Sequence, residues 1–359
     1  MNPTTSCDID PRTMSREDML KLSDDEKRLY FSLVRLNHPR IAETLETMTA
    51  LASRHSGKNI LMLVGPTGVG KSTLVQILKE RVIRTHREEI EADVSFIPLA
   101  YMVAPASGER GFSLKMFYSE MGRALNEPLM GRKLETKLVS GRTLTGLPAA
   151  SGNVSSMRMA VERLFEHRRT KVLVIDEAVP ILRQARGNDV QNHMDALKTL
   201  SEKGATVILI GSYDLHELLG LDGQVARRMG AIHFSRYLTG VPDDERAWRT
   251  IVQQLQRHMP IQDMPDLSEM ALDLQEACIG CVGILKTVFS SVLECALAKG
   301  GKWSDSHLDK SLLSVDQFET ILAETMAGEA MFRGTTLGSG SLKGLVAKSR
   351  AMKAAAVSL

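Results

Sequence analysis

The chain has 359 residues, 43% of them apolar and 25% charged, with a formal net charge of +2, the balance of a globular protein large enough for two domains. Aromatics at 4% argue against a stacking platform for single-stranded nucleic acid, and four cysteines are too few for a disulfide scaffold, which points to the cytoplasm. No apolar run approaches the ~18 residues of a membrane span, and the first residues lack the basic and apolar regions of a signal peptide, so no membrane is expected among the partners.

Residues 1–25 carry no sustained period, and helical patterning runs over 24–36 and again over 40–52. Short apolar runs bounded by turn residues predict buried parallel strands at 59–64, 94–100, 172–175, 206–210 and, more weakly, 231–234. Helices are predicted between them at 72–87, 114–125, 155–167 and 190–203, an alternation that gives an α/β, three-layer sandwich around a five-stranded parallel sheet. From 242 onward only helices are predicted, at 243–258, 267–277, 283–298 and 315–326, forming a small helical lid. Residues 127–154, rich in Gly, Pro, Ser and Thr, read as an exposed insertion. The expected divisions are an N-terminal extension (1–35), the α/β domain (36–241), the lid (242–330) and a flexible tail (331–359). The tail carries Arg333, Lys343, Lys348, Arg350 and Lys353 and no acid. It reads either as a contact for an acidic partner or nucleic acid, or as a solubilising linker.

Directly after the first strand stands Gly65-Pro66-Thr67-Gly68-Val69-Gly70-Lys71-Ser72, followed by Thr73 in a helical run. This is the phosphate-loop pattern in its strand–loop–helix setting. Its glycines let successive N–H groups turn inward toward phosphate oxygens, and the helix N-terminus adds its positive dipole. Lys71 would reach the β- and γ-phosphates of ATP, and the Ser72 hydroxyl would ligate Mg2+.

The third strand ends in Asp176-Glu177. An aspartate at a parallel strand tip beside the loop would hold Mg2+, mostly through water, and Glu177 would act as general base on the attacking water. Ser212, ending the next strand, could orient that water. The pair Arg227-Arg228 precedes the fifth strand. An arginine there makes sense if it neutralises transition-state charge on a neighbouring subunit's nucleotide; Arg228 is the expected finger and Arg227 the other candidate.

In this order the motifs resemble the AAA+ superfamily of P-loop ATPases. The lid sequence Gly280-Cys-Val-Gly283-Ile-Leu-Lys286 is similar to that family's second-sensor helix, which implies that Lys286 contacts the γ-phosphate. A narrower resemblance, to ATPase regulators of transposition of the TnsC/TniB type, is carried by Asn37-His-Pro-Arg40-Ile-Ala-Glu-Thr-Leu, Leu255-Gln-Arg-His-Met-Pro260, Gly280–Lys286 and Leu293-Glu-Cys-Ala-Leu-Ala-Lys-Gly. It implies an ATP-dependent homo-oligomer, a hexameric or heptameric ring or a helical filament, on double-stranded DNA. Such an assembly recruits a transposase, is placed by a TniQ-type targeting protein that is sometimes linked to a CRISPR effector, and is taken apart by ATP hydrolysis. Two other readings stay open: a helicase-loader-like or DNA-remodelling ATPase, and a scaffold that ATP stabilises with little turnover.

Arg110 and Lys115, after the second strand, are one candidate DNA contact; Arg132 and Lys133, with Lys137 and Arg142, are another, although charge runs are more often simply solvated. Cys278-Ile-Gly-Cys281 has no second pair or histidine cluster to complete a zinc site and reads as packing. The segment from Arg158 to Arg169 reads as an amphipathic cover helix.

Overall fold

The computed structural model describes the chain apart from residues 1–8, 53–56, 107–111, 128–133, 140–141, 149–153, 184–188, 221–226, 333–340, 342 and 349–359. For 134–139, 142–148, 182–183, 189–195 and 219–220 it describes the backbone alone. Strands β1 (Ile60–Val64) and β2 (Leu99–Val103) are succeeded by a separate antiparallel hairpin of β3 (Leu134–Val139) and β4 (Arg142–Pro148), then by β5 (Val172–Asp176), β6 (Thr206–Gly211) and β7 (Met229–His233). Apart from the hairpin, the strands form one five-stranded sheet in the order β2-β5-β6-β1-β7, every pair parallel.

Two units can be distinguished, one made of Leu45–Val64, Val75–His233 and Glu329–Leu359, the other of Met1–Thr44, Gly65–Leu74 and Phe234–Gly328. The first contains the sheet. All residues of β1 and β5 are buried, which is why these strands read as unbroken apolar runs rather than alternating ones. Helices α6 (Leu114–Ala124), α7 (Val154–Arg168) and α9 (Asp189–Glu202) supply Phe117 and Met121, Val161 and Phe165, and Leu197 and Leu200 to its core. The cover-helix reading of α7 agrees with this, and Arg158 on it reaches Glu162 and Thr199.

The second unit gathers the lid, the loop after β1 and the N-terminal segment. Its helices are α1 (Arg16–Lys21), α2 (Asp24–Leu33), the first part of α3 (Pro39–Leu51), the start of α4 (Lys71–Thr85), α10 (Pro242–Arg257), α11 (Ala271–Ala277), α12 (Val282–Leu297), α13 (Asp305–Ser311) and most of α14 (Val315–Phe332); α5 (Arg87–Ala92) and α8 (Pro180–Arg183) lie in the sheet unit. Helix α10 shows how its sequence chooses its face. Pro242 opens it with three acids in the first turn, where the dipole favours them, and Trp248, Ile251, Val252 and Leu255 are buried at i, i+3, i+4 and i+7.

Four local expectations shift. The second strand begins at Leu99, not at 94. Asp93 takes the Ser95 N–H and hydroxyl in a tight turn, and Val94 is 93% exposed. The 1–25 stretch, expected without a sustained period, contains the short helix α1 capped by Ser15, ahead of the expected helix α2, which a Ser23/Glu26 capping box starts and which buries Tyr30 and Phe31. The 127–154 insertion contains the β3–β4 hairpin. Finally, α14 continues past 330 to Phe332, whose ring packs in the sheet unit against Tyr213 and His233.

Candidate nucleotide site

The loop after Val64 is shaped by its glycines. A Cβ on Gly65 would lie 2.4 Å from the Phe234 carbonyl oxygen, so that position admits no side chain. Gly68 and Gly70 sit at φ +75° and +112°, conformations that L residues rarely adopt. Val69 is buried and its N–H closes a turn on the Pro66 carbonyl at 3.4 Å. Helix α4 then begins at Lys71, so the N–H groups of its first turn are not used by its own carbonyls and carry the positive end of the dipole. The Lys71 ammonium donates to the carbonyls of Gly65 and Pro66 at 2.8 and 2.9 Å, keeping the charge over the loop. Thr67 and Ser72 are exposed and Thr73 is half-buried. Backbone donors, a cation and a hard hydroxyl oxygen together suit a phosphate chain with Mg2+.

The lid meets this loop through backbone hydrogen bonds, with the Ile284 side chain packed beside Gly68. The Gly68 carbonyl accepts from the N–H groups of Gly283 and Ile284 at 2.7 and 3.2 Å. Cys281 stands at the N-cap of α12 and its side chain does not cap the helix, so the loop carbonyl takes over the capping. Both glycines are required by that approach: a Cβ on Gly283 would lie 2.5 Å from the Gly68 oxygen, and one on Gly68 would lie 2.5 Å from Ile284 Cγ1. Gly280, at φ +66°, is forced the same way by the Tyr237 carbonyl.

Lys286, expected to contact the γ-phosphate, is engaged here with the N-terminal segment. Its ammonium donates to the carbonyls of Ser32 and Val34 at 3.1 and 2.6 Å, satisfying carbonyls at the end of α2 that have no helical donors. Burial, and then the charge of Arg35, push its pKa down. Behind the loop, His38 stacks on Phe234 with planes 7° apart and shares a 2.9 Å hydrogen bond with the Tyr237 hydroxyl. Burial, then Arg40, lower His38 to about 4, while Tyr237 is raised to about 12, chiefly by burial. Arg40 pairs with both oxygens of Asp244 at 2.8 and 2.7 Å and lies over the Tyr237 ring. The sequence signal for this network was Asn37-His-Pro-Arg40, which spacing alone does not turn into contacts.

In the sheet unit, the carboxylate of Asp176 is fixed from two sides. Oδ1 accepts from the Glu177 N–H at 2.9 Å and Oδ2 from the Tyr101 hydroxyl at 3.1 Å. Glu177 takes φ +50°, rare for a residue with a side chain, and its carboxylate is exposed. The Ala178 N–H then ties the turn to Ile210 on β6 at 2.8 Å. Burial, and after it the charges of Asp176 and Glu177, raise the Tyr101 phenol to about 12, so it stays a donor. Motif spacing gave no sign of Tyr101. Ser212 is half-buried just past β6.

The arginines lie at the other end of the sheet. Met229 pairs with Ile60 and His233 with Val64, so Arg227 and Arg228, preceding β7, stand at the end where the strands begin. Arg228 is paired with Glu202 at 2.6 Å on the surface, and Lys58 donates to the Arg227 carbonyl at 2.7 Å. Among the DNA candidates, Lys115 is exposed on α6. Arg110, Arg132 and Lys133 lie outside the described residues, and Lys137 and Arg142 belong to hairpin strands described by backbone alone. Cys278 and Cys281 are buried and form no disulfide, Cys278 raised to about 12 by burial and then by Cys281. Among the described residues no His/Cys/Asp/Glu group could hold a metal on its own, and no single helix is long and apolar enough to cross a membrane.

Residues 54–219 match the AAA domain family. No curated protein sequence matches at a significant level. Among solved structures, the chain is similar to the ORC1 protein of Aeropyrum pernix in complex with DNA (TM-score 0.54, 15% identity, 83% of this chain and 68% of that one). It is also similar to the ORC2 protein of the same organism in its ADPNP–ADP complexes (TM-score 0.52, 16% identity, 80% and 68%). A Walker-type ATPase of Pyrococcus abyssi aligns with a TM-score of 0.49 at 14% identity over 82% and 75%. Strand order, phosphate loop and the two Aeropyrum likenesses agree that the chain has the fold of an AAA P-loop ATPase.

Proposed function

We propose that the protein is an Mg2+-dependent ATPase that assembles on double-stranded DNA when ATP is bound and leaves it after hydrolysis, serving as a regulator of transposition between a TniQ-type targeting protein and a transposase. The observation that carries the ATPase part is the strand order. Strands β1, β6 and β5 end side by side, and along the chain they run into the phosphate loop, Ser212 and the Asp176–Glu177 turn respectively. The loop and Lys71 would bind the phosphates, and Ser72 and Asp176 would hold Mg2+, which when bound offsets charge on the β- and γ-phosphate oxygens. Glu177 would take a proton from the attacking water as its oxygen bonds to the γ-phosphorus and the β–γ bridging bond breaks, releasing ADP and phosphate.

The position of Arg227 and Arg228 supports action between subunits. Strands of this length span roughly 13–17 Å, so these arginines are a sheet-length away from their own chain's acid turn, which is consistent with one of them serving a neighbour's nucleotide. That favours a ring or filament over a monomer. The DNA part rests on the TnsC/TniB resemblance, with the DNA complex of the Aeropyrum ORC1 protein as a precedent on the same fold. Contact would be mainly to phosphates and therefore weaken steeply with salt.

Electron microscopy with duplex DNA tests the reading. Assemblies are expected with ATP or a slowly hydrolysed analogue and not with ADP, and adding the transposase should produce co-assembly only in the triphosphate state. DNA binding that is the same in all nucleotide states would overturn the switch, and ATP-driven helicase loading without transposase contact would move the protein to the loader class.

A further inference from the structure

We infer that Tyr101 is a positioning residue for Asp176, orienting its carboxylate toward the metal's coordination shell; this rests on the ATPase reading above. The geometry is specific. Tyr101 lies on β2 at the register of Val174, one strand across from the acid strand, and its hydroxyl donates to Oδ2 at 3.1 Å while the Glu177 N–H occupies Oδ1 at 2.9 Å. One donor on each oxygen fixes both the plane and the rotation of the carboxylate, leaving one further lone pair on each oxygen for metal-bound water. The anchor for Oδ1 is the backbone of the turn itself and survives any side-chain change there. Among the described residues, the anchor for Oδ2 is the phenol alone. Carboxylates that hold a metal through water depend on such partners, and losing one typically weakens metal affinity by about ten- to a hundredfold.

The ring is not needed to fill the core, since Tyr101 is 37% exposed on the edge strand of the sheet. The sheet core is built instead from its neighbours Ala100 and Met102, both buried. A phenol on a solvent-facing edge, whose hydroxyl turns inward onto the acid, is placed for the acid's sake.

The test is Tyr101→Phe, which keeps the ring and removes only the hydroxyl. Fluorescent ATP binding is titrated against Mg2+ and, in parallel, with EDTA; steady-state phosphate release is measured over the same Mg2+ range. The expected result is an unchanged melting temperature, unchanged nucleotide affinity in EDTA, and a Mg2+ half-saturation raised roughly tenfold in both binding and turnover. Asp176→Asn should show a larger shift of the same kind, and adding Tyr101→Phe to it should cost nothing more. A Tyr101→Phe protein with wild-type Mg2+ half-saturation, or a full effect in the double variant, would overturn the inference while leaving the ATPase reading intact. If the wild type itself shows no Mg2+-dependent nucleotide binding, the ATPase reading falls and the inference with it.

Discussion

The phosphate loop and the acid turn use opposite means to hold functional groups still. The loop is built from backbone: Gly65, Gly68, Gly70, Gly280 and Gly283 are each at a close approach, a positive φ, or both, and the lid hydrogen-bonds to it through two N–H groups on one carbonyl. The acid turn leans on a side chain: the Tyr101 hydroxyl holds one carboxylate oxygen of Asp176, while the Glu177 N–H holds the other and Glu177 itself is left-handed with an exposed carboxylate. A backbone device fails when a Cβ is added and is readable as glycines at fixed spacing. A side-chain device fails when a hydroxyl or carboxylate is removed and leaves little trace in spacing.

Adding a methyl in the backbone-built region should give the largest effect. Gly280→Ala would put a Cβ 1.8 Å from the Tyr237 carbonyl at φ +66°, and a loss of more than about 3 kcal/mol is expected in thermal unfolding. Gly240→Ala, at φ +83° with nothing within 4 Å, should cost only about 1 kcal/mol. Equal losses at both would mean that φ rather than the close approach decides. Next comes Lys71→Ala, expected to weaken ATP binding about a hundredfold through a lost charge-assisted contact with the melting temperature nearly unchanged.

Acid should also separate the two regions. His38 is buried and neutral, its pKa lowered to about 4, and His258 is shifted in the same direction by burial. The unfolded chain therefore binds more protons as pH falls below about 6.5. The stabilisation is complete above that value and declines from about 6.5 toward about 4, with a loss of about 2 kcal/mol by pH 5 from His38 alone. The lid unit should melt first on acidification, and His38→Phe should flatten the slope between pH 7 and 5. The smallest effect is expected from Arg228→Ala, since its pairing with Glu202 is on the surface and worth less than about 1 kcal/mol. Phosphate release by the assembled protein, in contrast, should drop sharply.

The same contrast explains what could be read from the amino acids. The buried strands were visible because both faces are covered and the runs are unbroken, and the loop was visible because its chemistry demands glycine at set positions. The start of β2 was misplaced because Val94 looks like strand while Asp93 turns the chain there. The β3–β4 hairpin was hidden in an insertion whose Gly, Ser and Thr content resembles a loop. The contacts of Lys286 were not legible because helical position shows which turn a side chain leaves, not that carbonyls at the end of α2 lie within its reach. Tyr101, Arg40 and His38 act through partners 75, 204 and 199 residues away in sequence, and no local pattern encodes such pairings.

The central proposal is that Glu177 of the acid turn is the base for hydrolysis of bound ATP. The most direct test is single-turnover hydrolysis of bound radiolabelled ATP by Glu177→Gln in the presence of Mg2+ and DNA. The account predicts that ATP is bound with wild-type affinity and stays uncleaved, trapping the DNA-bound assembly. Hydrolysis at the wild-type rate would contradict it, because the acid turn would then have no part in the chemistry at the loop.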